Sequence, residues 1–352
     1  MKKTLITLAF LAAVPVLSGC SLQTSVSQPT RAQLVAKATV LKTVDGGLEW
    51  EPKIKVSDQK DISSLNVLTV AMDPFDSETV YLGTEKNGIF VSRDGAETWS
   101  QIKFPEKVYG LIPDHGTRDM LYASGVFGGR AKIFKKIGED EWKEIYTEPS
   151  KDSVISAMAM DKNNANVIYA GTSQGMIFKT TDAGTSWHNL YMAGAPVTSI
   201  AFDSADTSVV YFGVFQRDLL KTTNGGETIE RITSNISSSS NSQSVFSVVA
   251  DPGAPGTVYI GLAKGISKST DGGKTWSNLN ILESSKMFPI RAMAINPSNS
   301  SEMIYVSGKA VYKSIDSGNQ WSTFQLDTGK DVSSVVYNRS NPAIIYAGFR
   351  SF

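Results

Sequence analysis

The chain has 352 residues, and its 34 basic and 34 acidic side chains cancel to a formal net charge of +0. This balance shows no global basic excess of the kind that indicates nucleic-acid binding, so no nucleic-acid partner is expected. Hydrophobic residues make up 41% of the chain, enough for most of it to fold. A length of 352 residues suits a repeat fold, in which each unit buries its apolar face against its neighbours.

The first residues predict an export signal. Two lysines precede a mostly apolar run from Leu5 to Leu17, and small residues then lead to Cys20. This order of charge, apolar run and small residues is typical of a secretory signal, and the run is shorter than the about 20 residues of a membrane span. We therefore predict a signal peptide over residues 1–19 and a flexible, polar tether over residues 20–34.

The four residues LSGC, which end at Cys20, resemble the lipobox of bacterial lipoproteins. The resemblance implies that Cys20 is lipidated and anchors an extracytoplasmic protein to the cell membrane or the outer membrane. Two or more acyl chains hold a protein stably at a bilayer. Cys20 is the single cysteine of the chain, and a lone thiol in an exported protein is otherwise a liability. The alternative is an incidental cysteine within a signal peptide.

A tyrosine in a short apolar run recurs at spacings of 41 to 48 residues. The seven copies are Tyr81, Tyr122, Tyr169, Tyr211, Tyr259, Tyr305 and Tyr346. A period in the forties indicates a repeat architecture. An alternating apolar segment that ends in Asp or Asn precedes each tyrosine, which is typical of a half-buried strand, and two further strands follow. Four strands in about 45 residues predict one blade of a propeller.

The two ends of the chain complement each other. The last unit holds its first two strands only, and the missing two are predicted shortly after residue 35. One blade closed by strands from both termini would remove exposed sheet edges. We therefore predict that residues 35–352 form an all-β domain, a seven-bladed β-propeller of four-stranded antiparallel blades.

A turn-rich hexapeptide follows the third strand of most units and resembles the Asp-box, or BNR, repeat, S/T-x-D-x-G-x-T-W. Its acidic or amide position holds Asp45, Asp94, Asp182, Asn224, Asp271 and Asp316, and its aromatic position holds Trp50, Trp99, Trp187, Trp276 and Trp321. The copies cover the whole mature domain. Among Asp-box families, the photosystem II assembly and stability factors are similar in size and in having a single propeller, and sortilin-type ectodomains share the repeat in a larger one.

The chemistry expected of the Asp-box is structural. Its aspartate can accept hydrogen bonds from N–H groups two residues on and fasten a turn, while the tryptophan anchors the turn. The alternative is calcium binding or acid–base work. Copies spread round a ring do not converge on one substrate, however, as catalysis requires.

Asp-box propellers include sialidases and other glycoside hydrolases, so an enzyme must be considered. Residues 288–291, FPIR, are a scrambled match to the sialidase FRIP motif, and xyloglucanase-type relatives use two propellers. His115 and His188 lie in different units without ligand spacing. The sequence therefore predicts no catalytic residues, no cofactor, no metal site and no enzymatic activity. The alternative is a glycoside hydrolase or a glycan-binding propeller.

Charge divides between two sets of predicted loops. Loops between first and second strands carry ten acidic and three basic residues, a balance of −7, whereas loops between second and third strands carry six basic and two acidic residues, a balance of +4. The alternative is a chance distribution of surface charge. Clustered charge of one sign steers partners, and we predict a partner-binding face formed by Lys86, Phe127, Arg130, Arg217, Lys264, Lys309 and Arg350.

The resemblance to the photosystem II assembly factors implies a scaffold or assembly factor that holds other proteins, and with the predicted lipid anchor we expect an extracytoplasmic propeller that acts without catalysis. The expected partner is a protein or an anionic glycan, the expected contact with the membrane is through the N-terminal lipid, and the expected state is monomeric.

Overall fold

The computed structural model describes residues 38–57, 60–104, 107–216, 218–232, 244–282, 289–326 and 328–351. The predicted signal peptide and tether, Cys20, Arg217 and Phe288 lie outside these ranges. The described residues contain strands and no helix, so none of them forms a helix that could cross a membrane.

The strands are numbered in chain order. The first fifteen are β1 (Val40–Thr43), β2 (Glu51–Pro52), β3 (Lys55–Ser57), β4 (Lys60–Asp61), β5 (Val67–Met72), β6 (Val80–Thr84), β7 (Ile89–Ser92), β8 (Ser100–Ile102), β9 (Gly110–Pro113), β10 (Leu121–Phe127), β11 (Arg130–Lys136), β12 (Trp142–Thr147), β13 (Ile155–Met160), β14 (Ile168–Thr172) and β15 (Met176–Thr180). The others are β16 (His188–Met192), β17 (Val197–Phe202), β18 (Val210–Val214), β19 (Asp218–Thr222), β20 (Glu230–Arg231), β21 (Val245–Ala250), β22 (Val258–Leu262), β23 (Gly265–Ser269), β24 (Ser277–Asn278), β25 (Ala292–Ile295), β26 (Met303–Ser307), β27 (Ala310–Ser314), β28 (Ser322–Gln325), β29 (Asp331–Tyr337) and β30 (Ile345–Arg350).

Seven four-stranded antiparallel sheets form the blades of a β-propeller, which confirms the predicted fold. Blades 1 to 6 each use four consecutive strands, from β5–β8 in blade 1 to β25–β28 in blade 6. Blade 7 has the order β29-β30-β1-β2, in which Val40 pairs with Gly348 and Thr43 with Ile345. The predicted closure by strands from both ends is therefore confirmed. The small β3–β4 hairpin between blades 7 and 1 has no counterpart in the predicted repeat.

The first strand of each blade contacts the first strands of both neighbouring blades, so these seven strands surround the axis. Antiparallel pairing sends the turns between first and second strands, together with the Asp-boxes, to one edge of the ring, which we call the Asp-box edge. The turns between second and third strands and the connections between blades lie at the opposite edge, the connection edge. Because β1 begins beside the end of β30, the chain from the predicted tether also joins the propeller at the connection edge.

The hydrophobic core lies between blades. One cluster, for example, joins Ile304 and Val311 of blade 6 to Leu41, Val332 and Val335 of blade 7. All seven repeat tyrosines are at most 1% exposed, on second strands that are buried along nearly their whole length. The tyrosines thus belong to the packing between blades, as the spacing predicted.

A glycine two residues after the tyrosine allows neighbouring blades to approach closely. An ideal Cβ atom at Gly171 would lie 2.5 Å from Cβ of Val197, on the innermost strand of the next blade. At Gly348 it would lie 2.8 Å from Cγ1 of Val67 across the junction between blades 7 and 1. Any side chain at these positions would push the next innermost strand outward.

Candidate functional site

The Asp-box of blade 3 shows what the box aspartates do. Oδ1 of Asp182 accepts hydrogen bonds from the Thr180 hydroxyl at 2.7 Å and from the Ser186 backbone N–H at 2.8 Å, and Oδ2 accepts one from the Ser186 hydroxyl at 2.6 Å. The Thr180 hydroxyl in turn accepts the Gly184 N–H at 2.9 Å. Hydrogen bonds to the ionised carboxylate, from Ser186 first, lower the pKa of Asp182 to about 2.

The same pattern recurs round the ring and corrects one expectation. The acceptor oxygen binds the backbone N–H four residues on in the boxes of Asp45, Asp94, Asn224, Asp271 and Asp316. The predicted contact two residues on was wrong for the box, because the hydroxyl two residues before the aspartate already bridges to the next glycine or alanine. Contacts two residues on occur instead where first strands end, as from Phe75 N–H to Asp73. Each box therefore fastens its own turn.

The box tryptophans connect neighbouring blades. Three indole N–H groups donate to a carbonyl oxygen of the preceding blade or of the segment that follows it, in the pairs Trp99–Lys53 at 2.8 Å, Trp142–Lys103 at 2.8 Å and Trp187–Ile145 at 3.1 Å. Those of Trp50 and Trp276 donate within their own turns. Trp142 keeps this bond although its unit lacks the box aspartate.

A lysine on the third strand of most blades makes a second connection, which the sequence analysis missed. Its ammonium group donates to a backbone carbonyl in the box of the next blade, in the pairs Lys42–Gly95 at 2.7 Å and Lys179–Gly225, Lys221–Gly272 and Lys313–Gly46 at 2.8 Å. Lys179 and Lys221 also lie 5.1 and 5.5 Å from the ring centroids of Tyr169 and Tyr211. We call this arrangement the lysine clasp. The recurring pattern K-S/T-x-D/N was its sequence signal.

The Asp-box edge also carries a shallow cleft of about 70 Å³ near the axis. It is lined by Met72, Asp73, Pro74, Phe75, Asp76, Ser77, Arg339 and Ser340. Oδ1 of Asp73 accepts the N–H groups of Phe75 and Asp76, and Oδ2 accepts the Tyr81 hydroxyl at 3.3 Å. The Asp73 carboxylate thus holds a turn.

Burial lowers the pKa of nearby His115, and the positive charge of Arg339 lowers it further.

The predicted partner-binding residues that the structure describes lie at the connection edge. Lys86, Lys264 and Lys309 are exposed at turns of blades 1, 5 and 6, and Arg350 is half-buried at the end of β30. Arg130 donates to the carbonyl oxygen of Pro149 at 2.6 Å. The structure brings these cations to one edge but spreads them over five blades, so they form a broad basic surface.

Phe127 stands out within this surface because its side chain is 57% exposed. It ends β10 next to Gly128 and Gly129, whose φ angles of +61° and +76° suit the tight turn of a two-residue hairpin. The Lys132 ammonium lies 5.7 Å from the Phe127 ring centroid. The β10–β11 hairpin is longer than the corresponding hairpins of the neighbouring blades. Blade 2 therefore carries an exposed aromatic side chain, with an adjacent cation, at the tip of this hairpin.

Within the described ranges, no three His, Cys, Asp or Glu side chains form a group suited to a metal ion.

Sequence and structure comparisons place this architecture among known proteins. Residues 192–342 match the family model described as photosynthesis system II assembly factor YCF48. The structure of YCF48 bound to a D1 peptide superposes with a TM-score of 0.59 at 14% identity, and the match covers 85% of this chain and 100% of that one. The chain is a BNR-repeat β-propeller related to YCF48.

Xyloglucanases share this BNR-repeat propeller. Xyloglucanase Xgh74A of Acetivibrio thermocellus is 29% identical over 140 residues, which are 34% of this chain and 16% of the enzyme. The GH74 xyloglucanase of Xanthomonas campestris superposes with a TM-score of 0.66 at 14% identity, covering 81% of this chain and 51% of the enzyme. This propeller therefore spans about half or less of the length of the xyloglucanases it matches.

A third kind of protein with this fold is the extracellular domain of a putative hybrid two-component system from B. thetaiotaomicron. It superposes with a TM-score of 0.62 at 14% identity, covering 84% of this chain and 38% of that one. Some structural neighbours of this BNR-repeat propeller are thus extracellular domains.

These comparisons correct one prediction. The prediction that the chain is not an enzyme was wrong. It was deduced from the repeat architecture, but xyloglucanases match this BNR-repeat propeller both in sequence and in fold. An assembly factor and glycan-cleaving enzymes share the architecture, and a shared fold does not decide activity.

Proposed function

We propose that this propeller is a lipid-anchored, extracytoplasmic scaffold or assembly factor that binds an acidic protein partner through its connection edge. The observation that carries the proposal is the gathering of cations from blades 1, 2, 5, 6 and 7 at that edge. The turns at the opposite edge carry an acidic excess. A charge separation of this kind orients an acidic partner before contact and raises its association rate.

The path of the chain supports the same orientation. Residue 38 lies at the connection edge, and 17 residues separate it from Cys20. Even fully extended, these residues reach at most about 60 Å. If Cys20 carries lipid, the basic surface therefore remains within that distance of the membrane. The partner proposed is accordingly a protein that exposes acidic segments near the bilayer.

One similar structure supports a protein partner, because YCF48 is bound there to a D1 peptide. The xyloglucanase matches favour a second candidate function, binding of a glycan. The D1 peptide is a ligand of YCF48, and the xyloglucanase activity belongs to those enzymes. What is proposed for this chain is the class of partner and the edge that binds it.

The test is crosslinking in intact cells, followed by affinity purification and quantitative mass spectrometry. Charge reversal of Lys86, Lys264 and Lys309 to Glu is expected to remove the proteins that crosslink to the wild-type propeller. The matched control reverses Lys143, Lys162 and Lys274, which lie away from the connection edge and change the net charge equally. The control is expected to retain those proteins.

Retention of the crosslinked proteins by the connection-edge variant at low salt would contradict the proposal. Loss of the same proteins from both variants would assign the effect to net charge and contradict it as well. Enrichment of polysaccharide without any protein would support the glycan candidate instead.

A further inference from the structure

The β10–β11 hairpin of blade 2 extends further from the connection edge than its counterparts. Strand β10 ends five residues after its repeat tyrosine, Tyr122, whereas β6, β14, β18 and β22 each end three residues after theirs. Two more residues add about 7 Å at the rise of an antiparallel strand. The last pair of the ladder joins Phe127 to Arg130, and two glycines form the turn between them. We call residues 126–130 the hairpin tip.

The part of the hairpin below the tip is held by its neighbours. The Tyr109 N–H donates to the Ser124 carbonyl oxygen at 3.0 Å. A Cβ atom at Gly125 would clash with the Lys107 carbonyl oxygen, so the segment before β9 lies directly against this strand. A Cβ atom at Gly128, by contrast, would meet no atom within 4 Å. The hairpin therefore leaves its support after residue 125 and projects its tip into solvent.

The hairpin is apolar at its tip and basic behind it. Phe127 is 57% exposed, the largest exposed fraction of any aromatic side chain among the residues that the structure describes. Val126 beside it is partly exposed. The Lys132 ammonium lies 5.7 Å from the Phe127 ring centroid. Arg130 adds a second cation, and residues 120–138 include no acidic side chain.

Hydrogen bonds hold the two cations towards the body of the propeller. The Arg130 guanidinium donates to the Pro149 carbonyl oxygen at 2.6 Å, which is an uncharged acceptor, so Arg130 keeps its full charge. The Lys132 ammonium donates to Oε2 of Glu144 at 2.6 Å, which offsets part of its charge. Because Lys132 pairs with residue 125 in the ladder, it lies two positions behind Phe127. The aromatic ring thus projects ahead of both charges.

Resting on the proposed function, in which lipid and tether hold the chain at a membrane, we propose that the hairpin tip inserts Phe127 into the interface of an anionic bilayer. Apolar and aromatic side chains of peripheral proteins bury themselves at the boundary between headgroups and acyl chains. The cations behind the ring then lie at the level of the phosphates, where each strengthens binding to anionic lipid. Water at this level can satisfy the backbone groups of the two glycines, which the hydrocarbon core could not.

The path of the chain favours a bilayer as the occupant. Residue 38 lies at the same edge as the hairpin tip, two blades away along the ring. The 17 residues between it and Cys20 reach at most about 60 Å. One aromatic side chain buries far less than the about 800 Å² that each partner contributes to a stable protein interface. It is enough, however, to orient a propeller that is already tethered, because tethering raises the effective concentration of the second contact.

The test places the photocrosslinking residue p-benzoylphenylalanine at position 127 of the full chain and irradiates intact cells. The matched control carries it at Leu48, which is 70% exposed in the Asp-box of blade 7. We expect phospholipid adducts, identified by mass spectrometry, at position 127 and none at position 48. Phospholipid adducts from both positions would overturn the inference, and so would their absence from position 127 in chains recovered with the membrane fraction.

A second measurement tests the charge of the bilayer with the same chain in proteoliposomes. The yield of lipid adduct from position 127 should fall about threefold or more when pure phosphatidylcholine replaces a mixture with phosphatidylglycerol. R130Q should lower the yield in the anionic vesicles in the same direction, whereas K143Q, at the opposite end of blade 2, should leave it unchanged. Equal yields in the two kinds of vesicle would overturn an anionic bilayer as the occupant.

The outcomes separate this inference from the proposed function. A protein adduct in place of a lipid adduct at position 127 would overturn the membrane contact and leave the protein-binding proposal standing. Lipid adducts at position 127, without any protein crosslinked to the connection edge, would support the membrane contact and contradict the protein partner. Absence of the wild-type chain from the membrane fraction would contradict both the lipid anchor and the membrane contact.

Discussion

The aspartate of an Asp-box fixes the backbone conformation of its own turn. Asp182 binds one N–H and two hydroxyl groups of its own turn, and these bonds stabilise its ionised form. In blade 4 the same position holds Asn224, whose side-chain oxygen accepts the Thr228 N–H at 3.0 Å and whose Nδ2 donates to the Thr228 hydroxyl at 3.0 Å. An amide therefore closes the turn as a carboxylate does, but without a titrating proton.

This comparison predicts the acid response of the fold. The pKa of Asp182 is about 2 in the folded chain against an ordinary value of 3.8. A depressed folded pKa contributes stability above the unfolded pKa and loses it as the pH falls through the folded pKa. Asp182→Asn should therefore leave unfolding at neutral pH nearly unchanged and flatten the loss of stability between about pH 4 and pH 2.

The measurement is urea denaturation followed by tryptophan fluorescence at successive pH values. The control is Asp152→Asn, at an exposed aspartate outside the boxes. An Asp182→Asn variant that loses stability in acid as steeply as the wild type would contradict the assigned role of the carboxylate.

At the scale of elements, the contacts that matter are those between blades. Five junctions, those that follow blades 1, 3, 4, 5 and 7, combine a buried tyrosine with a glycine that lets the next innermost strand approach. A lysine clasp with a described hydrogen bond joins the blades at three of these junctions and also joins blade 6 to blade 7. The junction of blades 1 and 2 differs, because Val91 replaces the lysine. There Phe104 packs against Phe134 and Trp142, with centroids 5.5 and 4.6 Å away.

The clasp gives a prediction for stability. Lys221→Met keeps the aliphatic stem but removes the 2.8 Å hydrogen bond to the Gly272 carbonyl oxygen and the contact with the Tyr211 ring. Because a hydrogen bond to a charged group contributes about 1.5–3 kcal/mol, we expect a loss of about 1–3 kcal/mol in the free energy of unfolding. Lys143→Met, at an exposed position of β12, is the control and should change little.

Chemical denaturation of the two variants under identical conditions measures the difference. Equal stability of Lys221→Met and the wild type would mean that the clasp is a consequence of blade packing and does not stabilise it.

The architecture was predictable from the sequence because its signals are local and repeated. The tyrosine spacing, the alternating first strands and the Asp-boxes each recur often enough to outweigh the two divergent units. The clasp was equally regular in sequence, but its carbonyl partner lies in another blade, and a pattern of single positions does not show that contact. The contact between the Arg291 guanidinium and the Phe246 ring could not be predicted, because neither residue belongs to the repeated motif and only the packing of neighbouring blades brings them together.

At the scale of the whole molecule, the ring places acidic and basic side chains on opposite edges although the formal net charge of the chain is +0. Second-to-third turns and the connections between blades share one edge, and the first-to-second turns share the other. A basic excess in one set and an acidic excess in the other therefore produce two opposed faces. The chain from the predicted lipid anchor joins the basic edge.

The proposed function requires that the connection edge binds a protein partner. The most direct test places the photocrosslinking residue p-benzoylphenylalanine at Lys264 on that edge, or at Lys274 in an Asp-box of the same blade, and irradiates intact cells. We expect an adduct with a second protein from position 264 and none from position 274. Adducts from position 274 alone, or from neither position, would contradict it.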